Sequence, residues 1–253
     1  MRKLQKSFLK KTLEVYYSQT INNIATEMVT RNSRKIERKI SLKTGNGKKH
    51  TLRLKHFKEG ENPFEWYYYR SEETQKIDFL PIFLMGSKLK GGELIYFLED
   101  FPKNSSTKNP SVYFKQFTEL LKFLSSNFCK NQMNTSYNNC FRKYLKSNKE
   151  SKLISYLEKT NYKNNLEISM LLNEKNLAYT KKSLKLMDLN NLEAHFAGFS
   201  FWSLYNNSDN IEFKDFYDEY FSQKEKQKLN IDILKNLSYM EYKFNKEYEK
   251  KEN

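Results

Sequence analysis

The sequence predicts an α+β protein: an N-terminal basic helix, an antiparallel β-meander of about five strands, and a C-terminal helical region. Three observations carry that prediction. Helical periodicity at the start gives way to strict alternation after residue 35. Glycine-containing turns punctuate the alternating stretch, and beyond Phe101 helical spacing returns and persists to the end.

Residues 2–30 read as helical. Leu4, Phe8, Leu9, Val15 and Tyr16 collect on one arc, and Arg2, Lys3, Lys6, Lys10 and Lys11 on the opposite one. Ile21, Ile24, Ala25 and Met28 continue the apolar stripe. Ile36, Ile40 and Leu42 then alternate with charged neighbours, and so do Leu52 and Leu54 after Thr44-Gly45-Asn46-Gly47. A Gly-Asn-Gly sequence between two alternating runs signals a hairpin, because both residue types tolerate positive φ. Phe64–Arg70, Phe79–Met85 and Glu93–Leu98 are further strand candidates, the last two joined across Gly91–Gly92.

Residues 102–110 form a polar linker, and Asn109–Pro110 suits a helix start, with asparagine as cap and proline in the first turn. Helical spacing then covers 112–128, 137–146, 152–158, 166–177, 181–205 (broken near Gly198), 213–221 and 226–250. The expected organisation is a basic helix-plus-sheet region over 1–101 and a near-neutral helical region over 110–253, which could also form one continuous domain.

Charge is distributed unevenly. Residues 1–58 hold sixteen Lys or Arg against Glu14, Glu27 and Glu37, so they carry +13 of the +15 total. Richness in Lys, Asn, Phe and Tyr is the imprint of an AT-rich genome, which discounts part of the lysine excess. The arginines run against that bias, and six of the seven lie within the first 70 residues. On the hairpin, Lys39, Lys43, Arg53 and Lys55 share the face opposite the apolar one, with Lys48 and Lys49 beside the turn. Arg31, Arg34 and Arg38 lie upstream, and Lys58 downstream. Cations repeating at about 7 Å along each strand match the scale of a phosphate backbone. Trp66 and Tyr68, on one side of an expected strand, are candidate stacking residues for single-stranded bases.

These features point to a non-catalytic nucleic-acid-binding subunit, RNA favoured over DNA, in a ribosome-associated or similar ribonucleoprotein assembly, with the helical half contacting other proteins. Two alternatives stand beside it. One is a nucleic-acid-processing enzyme of a phage or mobile element, with Glu93, Glu99 or Asp100 holding a metal. The other is a small-molecule enzyme whose aromatic pocket lies between sheet and helices.

Enzyme signatures are otherwise sparse. Thr44-Gly45-Asn46-Gly47-Lys48-Lys49 is not a phosphate loop of the GxxxxGK type, since the first glycine would fall on Leu42. His50, His56 and His195 lack a ligand set, and Cys129 and Cys140 form neither a zinc site nor a disulfide framework. No catalytic residue, metal or cofactor is assigned. No apolar run approaches the length of a membrane span. The expected location is a reducing intracellular compartment: bacterial or phage-infected cytoplasm, or the mitochondrial matrix, given the amphipathic, acid-free first 13 residues.

Overall fold

Alternation in a strand says which side chains share a face, and pairing with a neighbour then decides what that face meets. In the computed structural model of the chain, Ile36, Ile40, Leu42, Leu52 and Leu54 are all buried, as the alternation predicts. The structure describes residues 6–61, 64–71, 78–101, 113–128, 133, 135–159, 166–169, 177–179, 184–187, 189, 192–206 and 210–252.

The first elements in chain order are α1 (Lys6–Tyr17), β1 (Ile21–Arg31), β2 (Lys35–Thr44), β3 (Lys49–Phe57), α2 (Phe64–Tyr68), β4 (Phe83–Lys88) and β5 (Leu94–Glu99). Three helices follow: α3 (Phe114–Asn127), α4 (Thr135–Ser147) and α5 (Ser151–Lys159). Then come four short strands, β6 (Leu166–Ser169), β7 (Leu177–Tyr179), β8 (Leu184–Leu186) and β9 (Glu193–Phe196). The chain finishes with α6 (Phe199–Tyr205), α7 (Phe213–Tyr220), α8 (Gln223–Lys226) and α9 (Ile231–Glu252). It divides into two compact units, Met1–Ser105 with Lys175–Asn190, and Ser106–Glu174 with Asn191–Asn253.

The first unit is built on an antiparallel sheet ordered β1-β2-β3-β5-β4. Because β3 pairs with β5, β4 becomes the outer strand rather than the fourth step of a simple meander. The two hairpin turns follow their glycines: Gly47, Gly91 and Gly92 all have positive φ. Leu9 and Leu13 of α1 pack with Ile24, Ile40, Leu42, Leu52, Leu54, Ile95 and Phe97 on one face of the sheet.

Two expectations in this unit are corrected. The helix expected over 2–30 ends at Tyr17, and Ile21–Arg31 is a strand whose partner is β2 (Ile24 opposite Leu42, Thr26 opposite Ile40). The stripe Ile21, Ile24, Ala25 and Met28 fits a helix locally, but the ladder with β2 overrides it. The strand expected at 64–70 is the short helix α2, which turns Glu65, Trp66 and Tyr69 inward and leaves Tyr67 exposed.

The other face of the sheet carries charge. Arg53 bridges Glu37 and Asp100, each at 3.1 Å, while Lys35 lies 3.4 Å from Glu37 and Lys39 3.5 Å from Asp100. Glu37, Arg53 and Asp100 are buried, so each charge is tolerable only because another compensates it.

In the second unit, α3, α4, α5, α7 and α9 fall close to the expected helical spans. The helices expected over 166–177 and 181–205 do not. Their described parts are β6, β9 and α6 in this unit, and β7 and β8 in the first. β6 pairs with β9 (Leu166 opposite Phe196, Ile168 opposite Ala194), a ladder that local periodicity cannot announce. The expected linker at 102–110 and helix start at Asn109–Pro110 lie outside the described residues.

Two buried acids hold the turn from β9 into α6. Glu167 accepts the backbone N–H of Gly198 at 2.8 Å and of Ser200 at 2.9 Å. Glu241 accepts that of Phe196 at 2.7 Å and contacts His195 Nδ1 at 2.9 Å. Gly198 itself is at φ 103, and a Cβ there would come within 2.4 Å of the Phe213 ring.

Two predictions follow from these buried charges. Arg53→Met leaves Glu37 and Asp100 undercompensated, and urea unfolding should show a loss of roughly 3–5 kcal/mol, whereas Lys43→Met, at an exposed position, should leave the midpoint in place. Burial raises the Glu167 pKa above the ordinary carboxylate value of 4.5, its hydrogen bonds opposing the shift only in part. A raised folded pKa gives a contribution that is full below the unfolded value and is lost as pH rises through the folded one. The melting temperature of the wild type relative to Glu167→Gln should therefore fall as pH rises above about 4.5; a pH-independent difference contradicts the assignment.

Candidate functional site

The charged face of the sheet has one member deeper than the rest. Lys55 on β3 stands opposite Glu37 on β2 and Tyr96 on β5, so all three share a face. Its ammonium group is 0% exposed and meets Glu65 of α2 with both carboxylate oxygens, at 2.8 and 2.9 Å. A third N–H donates to the carbonyl of Met187 at 3.0 Å. Lys55 therefore has an acceptor for each of its three donors.

Glu65 is equally enclosed. The Tyr96 hydroxyl donates to its Oε1, and the Leu189 backbone N–H donates to its Oε2 at 3.2 Å. Tyr96 is itself fixed by rings, stacked with Phe57 and Phe83 and tilted against Trp66. Trp66 lies over Gly86, where even a Cβ would fall 2.4 Å from the indole. Three elements (β3, α2 and β5), with the backbone of Met187 and of Leu189, thus converge on one buried ion pair. Such a constellation can hold an anion if one of the lysine's acceptors gives way to it.

The structure separates the ten expected phosphate-contacting cations. Lys39, Arg53 and Lys55 come together, but with Asp100, Glu37 and Glu65 as partners rather than on an open ribbon. Arg31, Lys43, Lys48, Lys49 and Lys58 are exposed, Arg38 is half-buried, and exposed Arg34 lies 3.8 Å from Glu61. The expected stacking pair is not a platform, since Trp66 is buried in packing and Tyr68 is half-buried on a helix. Of the acids considered for a metal, Asp100 is spent on Arg53 and Lys39, and Glu93 sits 2.8 Å from His56. Cys140 is a half-buried free thiol, and Cys129 lies outside the described residues.

Glu65 and Tyr96 are the members that sequence reasoning missed. Glu65 is the acid in Phe-Glu-Trp-Tyr-Tyr-Tyr, and an acid embedded in an aromatic run is a signal of a buried, paired carboxylate. Nearby groups complete the surroundings. Burial, then Tyr16 and Glu99, push the Tyr17 hydroxyl up to about 12, and its ring lies 4.4 Å from that of His50. Burial and then Lys48 lower the His50 pKa. A cavity of about 580 Å³ is lined by Glu59, Glu61, Trp66, Arg70, Lys88 and Leu94, with the Arg70 guanidinium 5.0 Å from the Trp66 ring centroid.

No family model matches the sequence, and no curated protein matches it either. Solved structures do match the fold. The aminoglycoside phosphotransferase APH(4)-Ia superposes with a TM-score of 0.53 at 7% identity, over 95% of this chain and 90% of that one. A thermostable mutant of that enzyme, solved as a ternary complex with ADP and hygromycin B, gives 0.50 at 6% identity, over 94% and 89%. These likenesses overturn the expectation of a non-catalytic RNA-binding, ribosome-associated subunit and, with it, nucleic acid as the expected partner. The ion pairs of Lys39, Arg53 and Lys55 give the physical reason, because the centre of the expected phosphate ribbon is turned inward and neutralised. At these identities the likeness shows the fold alone.

Proposed function

We propose that the chain is a nucleotide-dependent phosphotransferase acting on a small polar molecule. The observation that carries this reading is the buried Lys55–Glu65 pair, set on β3 and the helix after it. In kinases a lysine of the third strand pairs with a glutamate of the following helix and binds the α- and β-phosphates of the nucleotide. Lys55 and Glu65 occupy those two places by element and by partner. The likeness to an enzyme solved with ADP and hygromycin B supports a nucleotide and a small acceptor as the ligand classes.

Residues 187–189 add to this support. Met187 and Leu189 contact the pair through their backbones, and Asp188 stands between them in the sequence. In kinases a magnesium-binding aspartate must be in place together with the Lys–Glu pair. Among the described residues no group of three or more His, Cys, Asp or Glu could hold a metal. By its place in the sequence between Met187 and Leu189, Asp188 is the acid assigned to that ion, which would neutralise charge on the phosphate oxygens. Lys55 would contribute positive charge at the same phosphates, and Glu65 would keep it oriented.

One sequence observation favours a second reading, nucleotide binding without transfer. None of the seven aspartates has an asparagine five residues later, the spacing of the H-R-D-x-x-x-x-N catalytic loop. The β1–β2 connection, Asn32-Ser33-Arg34, also contains no glycine. The Asn32 side chain closes that turn by accepting the N–H of Arg34 at 2.9 Å and of Lys35 at 2.7 Å.

Titration calorimetry with Mg²⁺ and a non-hydrolysable ATP analogue tests the nucleotide site. Lys55→Met should weaken binding by at least about 100-fold in a protein that still melts cooperatively, and Lys43→Met should leave it unchanged. Equal affinity in wild type and Lys55→Met would remove the reading. Asp188→Asn should abolish the dependence of binding on Mg²⁺. Release of ADP from ATP in the presence of aminoglycosides and other small polyols separates the first reading from the second.

A further inference from the structure

The cavity beside α2 takes no part in the proposed transfer. At about 580 Å³ it falls within the range of small-molecule sites, roughly 300–1,000 Å³. Its apolar lining comes from Trp66 and Leu94, both buried. Charges of both signs stand around them. Glu61 lies 3.8 Å from Arg34. Glu59, Arg70 and Lys88 are exposed, and among the described residues none of the three has an ion-pair partner. Arg70 is held all the same, its guanidinium over the Trp66 ring at 5.0 Å from the centroid. Resting on the indole, that planar group keeps its forked donors for a carboxylate. Glu59 lies against Gly92, where a Cβ would come within 3.1 Å of its Cγ.

An unpaired guanidinium, an unpaired carboxylate and a buried indole around one cavity match three parts of one molecule: a carboxylate, an ammonium group and an apolar side chain. A simple anion would meet Glu59 as a like charge, and a simple cation would meet Arg70 and Lys88. The cavity also shares a helix with the buried ion pair. Trp66 follows Glu65 on α2, and its ring is tilted against Tyr96, whose hydroxyl donates to Glu65. Lys88 and Leu94 belong to β4 and β5, so a molecule held by Arg70 and Trp66 on one side and by these two on the other ties α2 to the β4–β5 hairpin.

We propose that this cavity binds a free amino acid with an apolar side chain, its carboxylate on Arg70 and Lys88 and its ammonium group on Glu59, and that occupancy strengthens nucleotide binding by holding α2, and with it Glu65, in place. The second half rests on the nucleotide-binding reading, and the first does not.

Calorimetric titration of the full chain with L-phenylalanine, L-phenylalaninamide and 3-phenylpropionate tests the site. L-Phenylalanine should bind with a dissociation constant of about 1 mM or tighter. The amide lacks the carboxylate and phenylpropionate the ammonium group, so each should bind at least about tenfold more weakly. Arg70→Met should lose the phenylalanine signal, and Glu59→Gln should reduce phenylalanine to the affinity of phenylpropionate. Both positions are exposed, and an unchanged melting temperature shows that the fold is kept. Absence of binding by L-phenylalanine, L-leucine and L-methionine at about 10 mM overturns the site. Equal affinity for phenylalanine and phenylpropionate also overturns it, since that marks a simple anion site. For the link, saturating L-phenylalanine should tighten binding of a non-hydrolysable ATP analogue with Mg²⁺ by about fivefold or more, and the analogue should tighten phenylalanine by the same factor. Phenylalanine that binds and leaves analogue affinity unchanged overturns the link. An analogue that does not bind at all sinks the nucleotide reading and the link with it, while the phenylalanine titrations still decide the site.

Discussion

Removing an ammonium ion from water costs several kcal/mol even after the protein relaxes around it, and the first unit is organised by that cost at Lys55. The lysine lies on the central strand of a five-stranded sheet, and its side chain is fully buried where Glu65 and the Met187 carbonyl meet it. Burial is tolerable only if a carboxylate lies within hydrogen-bonding reach, and the carboxylate must then find its own donors. Glu65 meets the first condition, and Tyr96 and the Leu189 amide meet the second. The short helix α2 exists where it does because its one acid has to reach β3. Gly86 has no side chain because Trp66, next to that acid, fills the space above it.

The same constraint recurs elsewhere at lower stakes. Arg53, two residues before Lys55 on the same face, is neutralised by Glu37 and Asp100, so this side of the sheet is a chain of compensated charges rather than a cationic surface. In the second unit the problem is inverted. Glu167 and Glu241 are buried acids that receive backbone N–H groups from the β9–α6 turn. Those bonds fix a glycine-dependent turn next to a core of stacked and edge-on rings (Phe201, Trp202, Phe213 and Phe216). Buried charge in this protein specifies where segments meet, and burial of apolar surface stabilises the meeting.

Local rules carried the reading of the sequence a definite distance. The β2–β3 hairpin was legible in full, because alternation and a Gly-Asn-Gly turn are both short-range signals. The five-strand antiparallel sheet and the helical C-terminal region were legible as a class. Alternation also placed Lys39, Arg53 and Lys55 on one face correctly, but it says nothing about whether a face is covered, and covering decides between a phosphate ribbon and a buried ion pair. β1 was hidden because Ile21, Ile24, Ala25 and Met28 satisfy helical spacing, and only β2 settles the choice. α2 was hidden because aromatic residues favour strands. Met187 and Leu189 act through backbone atoms more than a hundred residues away from Lys55 and Glu65, and no side-chain pattern reports that.

The central claim is that Lys55 and Glu65 are energetically one unit. A double-mutant cycle on the unliganded protein, Lys55→Met, Glu65→Leu and both together, followed by urea unfolding, measures this directly. Each single replacement should cost roughly 3–5 kcal/mol, because it strands a buried charge, and the double replacement should cost less than the sum by about 3 kcal/mol. Additive losses, with no coupling between the two positions, would contradict the account.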